Sequence, residues 1–138
     1  MDTSKTYVRM CECAEEIQEQ MPSHIGDDGR FRLTRFGDNV YMRIGGTQND
    51  EGFCDGYKLV WLPRWDQLLE ILIERVGDGI HDDTCWFKYS DRTMALKSLY
   101  EFALKEDCRF DSHEQLLLAF VMREKHGKVW SGEDWEKK

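Results

Sequence analysis

The sequence predicts an α+β domain: a small, mostly antiparallel sheet of about three to five strands with about four helices packed on it. Three observations carry that expectation. Apolar residues recur at helical spacing near the start of the chain and again through its second half. Between those stretches, over residues 30–44, apolar and polar residues alternate. Short turn signals, "GDDG" at 26–29 and "GDN" at 37–39, flank the alternating runs. The second of them joins the two runs as a hairpin, which makes the sheet antiparallel there.

The first element is a helix from about Ser4 to Met21, with Tyr7, Met10, Cys11, Ala14, Ile17 and Met21 as its apolar stripe. Glu12, Glu15, Glu16 and Glu19 lie largely off that stripe. Pro22 ends the helix, because a proline pushes the residue before it out of the α region. In "RFRLTRF", Phe31 and Leu33 share one face and Arg30 and Arg32 the other. After the Gly-Asp-Asn turn, Val40, Met42 and Ile44 share a face, so the two runs read as a hairpin. "GGTQNDEGFCDG" at 45–56 has the composition of a mobile loop. "YKLVWL" at 57–62 is a third strand, expected to be central because it carries few polar residues.

Pro63 suits the first position of a helix, where its missing N–H costs nothing. Trp65, Leu68, Leu69, Leu72 and Val76 form that helix's inner face, with Trp65 as a core anchor, and Gly77 stops it. "TCWFKYS" at 84–90 reads as a fourth strand. Ser90 or Asp91 caps a third helix, carried inward by Met94, Leu96, Leu99, Tyr100, Phe102 and Ala103. The last helix opens on a capping box, Ser112 with Gln115, and closes at Gly127. A short edge strand follows around Val129 and Trp130. A length of 138 residues suits one domain, 1–138.

Composition excludes several classes of activity. Hydrophobic residues make up 41% of the chain and charged residues 33%, enough for one core, while the net charge is −8. A chain this acidic does not concentrate on nucleic acid or anionic lipid, so no direct nucleic-acid partner and no membrane are expected. No apolar run approaches the roughly 20 residues a membrane span needs. "MDTSKTYVRM" lacks the apolar segment of a signal peptide, so the chain is expected to be cytoplasmic. The cysteines at 11, 13, 54, 85 and 108 are odd in number and irregular in spacing. That argues for reduced thiols packed as small hydrophobes rather than a disulfide framework.

The candidate chemistry is sparse. "CEC" at 11–13 falls in a helix, where residues two apart point to different faces. "HDDTC" at 81–85 gathers an imidazole, two carboxylates and a thiol, and His81 and Asp83 are its weak metal candidates. Hard oxygen and soft sulfur favour different metals, so the set is not coherent. Phosphate-loop, nucleophile-elbow and zinc-protease patterns are absent from the sequence, so no catalytic residue and no cofactor is assigned. The hairpin arginines Arg30, Arg32, Arg35 and Arg43, opposed only by Asp38, carry more weight. On an acidic chain they make a local basic patch that suits an acidic partner, a phosphate group or a nucleotide. They suit equally well a pairing with the acidic first helix, or charged protection of a sheet edge.

"WLPRWDQLLEIL" at 61–72, "EQLLLAFVMREKHGKVW" at 114–130 and "SGEDW" at 131–135 resemble a set of small acidic proteins from bacterial and phage genomes. Those proteins share a WLPxxDQL start, a LAFVMxEKxGKxW helix and a GExW tail. The resemblance covers the chain from about Trp61 onward and only loosely the first helix. It transfers no activity. It implies a phage- or prophage-linked accessory role, in a bacterial or phage-infected host, and weight on Trp61, Trp130 and Trp135. The expectation is therefore a non-catalytic interaction domain whose partner is another protein, with a homodimer among the options. A small-molecule or nucleotide-binding module using the arginine hairpin is the alternative. An interaction protein should expose an apolar patch. A ligand module should present a concave pocket lined by arginine and tryptophan. An enzyme should hold His81 beside a second titratable group.

Overall fold

In a computed structural model of the chain, residues 1–22, 32–51, 54–74, 92–106 and 109–137 are described. They form a small mixed α+β fold. Contacts gather in two compact units: Thr3–Pro63, and Arg64–Lys138 together with Met1–Asp2. The predicted strand 84–90, Arg30, His81 and Asp83 lie outside the described residues.

The Thr3–Pro63 unit opens with α1 (Lys5–Cys13), capped by the Ser4 side chain, which accepts from the Tyr7 N–H. The predicted single helix breaks at Ala14 (φ −85°, ψ 73°) and resumes as α2 (Glu15–Gln18). Neither glycine nor proline marks the break. Tyr7, Met10, Cys11, Ala14 and Ile17 are all fully buried, so the apolar stripe survives it. What the break adds is the placement of Gln18, whose side-chain amide meets the backbone of Trp61. Tertiary bonding here outweighs a helix propensity that differs by only about 0.7 kcal/mol among ordinary residues.

The sheet of this unit is antiparallel, in the order β1 (Leu33–Phe36), β2 (Asn39–Ile44), β5 (Lys58–Leu62). The hairpin turn is at Gly37, whose φ of 61° is open to glycine at little steric cost. Residues 57–62, expected to be central, supply β5, which stands at the edge of the sheet among the described residues. The apolar run is still explained. Val60, Trp61 and Leu62 are buried because α1 packs against β5, and because Gln18 takes the place of a neighbouring strand at Trp61. Its Oε1 accepts from the Trp61 N–H at 2.8 Å and its Nε2 donates to the Trp61 carbonyl at 2.9 Å. The predicted loop 45–56 contains a short ladder, β3 (Thr47–Gln48) against β4 (Cys54–Asp55). Its base closes so tightly that a Cβ on Gly46 would lie 2.2 Å from the Asp55 carbonyl oxygen.

The second unit contains α3 (Trp65–Glu74), α4 (Arg92–Glu106), α5 (His113–His126) and a hairpin of β6 (Lys128–Trp130) with β7 (Trp135–Lys137). α3 starts two residues after Pro63. The Gln67 side chain accepts from the Arg64 N–H at 2.9 Å, the back-reaching half of a capping box. Leu68, Leu69, Ile71 and Leu72 are buried against α4 and α5. Trp65 is only half-buried, with its ring edge-on to His113 at 5.8 Å, so it is not the full core anchor expected at the head of the stripe. A residue in the first turn of a helix has covering neighbours only on the side of the following turns.

The ends of α5 form as the sequence predicts. Ser112 Oγ accepts from the Gln115 N–H, and Gly127 takes the left-handed conformation at φ 64°. Asp2 adds a second layer, its carboxylate accepting from both Ser112 Oγ and Gln115 Nε2. Lys125 reaches the Ile71 carbonyl near the end of α3.

Candidate functional site

The arginine hairpin is built by the β1–β2 register. Leu33 stands opposite Met42 and Arg35 opposite Val40, while the Arg43 N–H donates to the Arg32 carbonyl. Because side chains alternate with period two, Arg32 and Arg43 fall on one face and Arg35 on the other. Among the described residues the arginines therefore do not share one patch. Arg35 is exposed. Arg32 is exposed too, and its Nη1 donates to the Gly45 carbonyl at 2.8 Å. Arg43 is 1% exposed, with its guanidinium 5.0 Å from the centre of the Tyr57 ring. On the same face, burial pushes the Tyr41 phenol above its usual range, and its hydroxyl donates to the Pro22 carbonyl at 3.0 Å.

Between α1 and the hairpin lies an open cleft of about 410 Å³. Its described lining includes Lys5, Arg9, Arg32 and Arg43, and one carboxylate, Glu12, which pairs with Arg9 at 3.1 Å. The sequence places Lys5 and Arg9 on the first helix without linking them to the hairpin. Helix-to-sheet packing brings the two groups together.

The second unit presents two features that sequence reasoning missed. The first is on α4. Leu99 and Phe102 are buried, but Leu96, Tyr100 and Leu104 are 43%, 65% and 65% exposed. Spaced four apart, these three stack on one helix face. Leu96 and Tyr100 were expected inward. A helix with apolar residues at 96, 99, 100, 102, 103 and 104 has more apolar surface than one side can bury. That excess, visible in the sequence, is the signal that could have found the stripe.

The second feature is a cavity of about 170 Å³ walled by Phe102 of α4, the segment Arg109–Phe110, Ala119 and Arg123 of α5, and Lys128–Trp130 of β6. Arg123 lies over the Phe102 ring at 5.3 Å and Arg109 over Phe110 at 5.7 Å. Arg109 Nη2 also donates to the Trp130 carbonyl. Read along the chain, Arg123 and Lys128 look like ordinary cations at a helix C-terminus, which is why they gave no signal.

Among the described residues, no three His, Cys, Asp or Glu side chains are grouped so as to hold a metal. No helix of the described residues is long and apolar enough to cross a membrane. Comparison of the chain with protein-family models, with curated proteins and with solved structures gives no match.

Proposed function

We propose that this chain is a non-catalytic protein-interaction domain, an accessory component of the phage- or prophage-linked kind, acting in the cytoplasm of a bacterial or phage-infected cell. The observation that carries the proposal is the Leu96–Tyr100–Leu104 stripe. Three large apolar side chains stacked over about 12 Å of helix form a contiguous patch, and such patches mark sites of association.

The first partner the stripe fits is a second copy of the chain. The stripe is symmetric about Tyr100, and the exposed Lys97 and Glu101 beside it carry opposite charges. Two α4 helices laid antiparallel set Leu96 of one copy against Leu104 of the other. Lys97 of each then lies near Glu101 of its mate, a self-complementary two-fold contact. Three side chains cover less than the roughly 800 Å² per partner of a standard interface, so the dimer is weak.

Sedimentation equilibrium across a concentration series tests this. A reversible dimer with Kd on the order of 10–100 μM, lost in Tyr100→Glu while the urea midpoint holds, supports it. A chain that stays monomeric throughout the series overturns the homodimer, and with it the use of the stripe proposed here.

A second reading is favoured by one observation, the four cations and single carboxylate among the described residues lining the α1–hairpin cleft. It makes the chain a module for a phosphate-bearing small molecule or nucleotide. Titration with ATP, expected to fail in Arg9→Glu with Arg32→Glu, separates it from the first.

A further inference from the structure

We infer that the cavity between α4, α5 and β6 is a binding site for a small aromatic carboxylate. This inference is independent of the dimer contact and of the hairpin cleft. Three lines converge on it.

The first is size. A cavity of about 150 Å³ accepts a benzene ring, and this one measures about 170 Å³. That volume suits one six-membered ring with a short substituent.

The second is shape and surface. Phe102, Phe110 and Trp130 stand around it, with Ala119 leaving the space that a larger residue would fill. Phe102, Ala119 and Trp130 are each buried. Aromatic walls around a ring-sized space favour offset or edge-to-face stacking of a planar guest.

The third is charge. Arg109, Arg123 and Lys128 all line the cavity, and its described lining residues include no carboxylate. On a chain of net charge −8, three cations around one small space are not the local average. The position of Arg123 near the end of α5 is explained by the helix dipole alone. The dipole does not explain why Arg109, from the segment before that helix, and Lys128, from the strand after it, line the same space.

The two guanidinium groups also lie over aromatic rings, Arg123 over Phe102 and Arg109 over Phe110. Stacked in this way, a guanidinium is held where its planar N–H fork can meet a carboxylate. The ligand thus places its ring among the aromatic walls and its carboxylate toward Arg123, with Arg109 and Lys128 supplying positive potential.

Benzoate is the probe. Titration calorimetry and chemical-shift mapping should show a Kd on the order of 1 mM or tighter for so few heavy atoms, with shifts at the Trp130 indole and the Ala119 methyl. Benzyl alcohol, of similar size but neutral, should bind at least tenfold more weakly. Inorganic phosphate, which has the charge without the ring, should do the same. Arg123→Met should weaken benzoate tenfold or more, and Arg123→Lys should restore part of the loss. Lys128→Met is the second variant, and urea melts of both confirm that they remain folded. Phosphate binding as tightly as benzoate would overturn the aromatic specificity. Benzyl alcohol binding as tightly would overturn the role of charge. Benzoate shifts confined to residues outside the cavity, or absent altogether, would overturn the site.

Discussion

Replacing Gln18 by alanine should destabilise the Thr3–Pro63 unit by about 2–3 kcal/mol, although Gln18 is polar and only half-buried. Both polar ends of its amide are engaged with one peptide, Trp61 N–H at 2.8 Å and Trp61 C=O at 2.9 Å. Each bond is worth about 0.5–1.5 kcal/mol net, and each backbone group left without a partner beside a buried tryptophan costs about 1–3 kcal/mol. Water can reach the vacated edge in part, which keeps the total near the lower sum. With a urea m-value of about 1–3 kcal/mol/M, the midpoint should fall by roughly 1 M. Hydrogen exchange gives the local check: the Trp61 amide should lose protection more than that of Val60, which lies opposite Met42 within the ladder. Gln18→Glu should also destabilise, because it keeps an acceptor for the Trp61 N–H but turns a carboxylate toward the Trp61 carbonyl. A Gln18→Ala protein whose melt and Trp61 exchange both match the parent would refute this account, and the break at Ala14 would lose its explanation.

Gly45 and Gly46 both have positive φ, at 72° and 66°, but an added Cβ meets nothing within 4 Å at Gly45 and backbone at 2.2 Å at Gly46. Gly45→Ala should therefore cost about 1 kcal/mol and Gly46→Ala several, by urea melts. Trp61→Ala, at a site 3% exposed, should cost about 3–5 kcal/mol, and Trp65→Ala about half that or less; equal losses would show that Trp65 is a full core residue. Because burial raises the Tyr41 pKa above the usual phenol range, the folded state binds that proton more tightly than the unfolded chain does. The resulting stability is fully present below about pH 10 and is lost as pH rises through the higher folded value. The alkaline fall in Tm should be shallower in Tyr41→Phe, and an identical fall would refute the assignment.

The fold class was legible because it rests on period. The 3.6-residue stripe of Tyr7, Met10, Cys11 and Ile17, the alternation through Val40, Met42 and Ile44, and the Ser112–Gln115 box are local signals, and local physics produces each of them. Two of the departures depend on residues distant in sequence. The break at Ala14 accompanies the bond of Gln18 to Trp61, 43 residues on. The place of β5 at the sheet edge among the described residues was hidden because a glutamine side chain bonds Trp61 where a strand could, and no sequence period encodes that. The candidate sites were less legible still. Arg109, Arg123 and Lys128 are unremarkable one at a time, and their convergence on one cavity exists only after α4, α5 and β6 have packed. Of the hairpin arginines, Arg32 and Arg35 stand three apart, an odd spacing that puts them on opposite faces of a strand, so that much was already legible in the alternation.

The closing hairpin has an optical consequence. The indoles of Trp130 and Trp135 lie 5.0 Å apart, with their planes inclined at 57°. Electronic transitions of two rings so close and so skewed mix, and the mixed states absorb left- and right-handed light with opposite sign. The chain should therefore show a paired positive and negative band in its circular dichroism that neither tryptophan gives alone. The band pair vanishes with either ring, so it reports on β6–β7 pairing without any attached dye. Because Trp130 is also a wall of the cavity, the same signal registers whatever enters there.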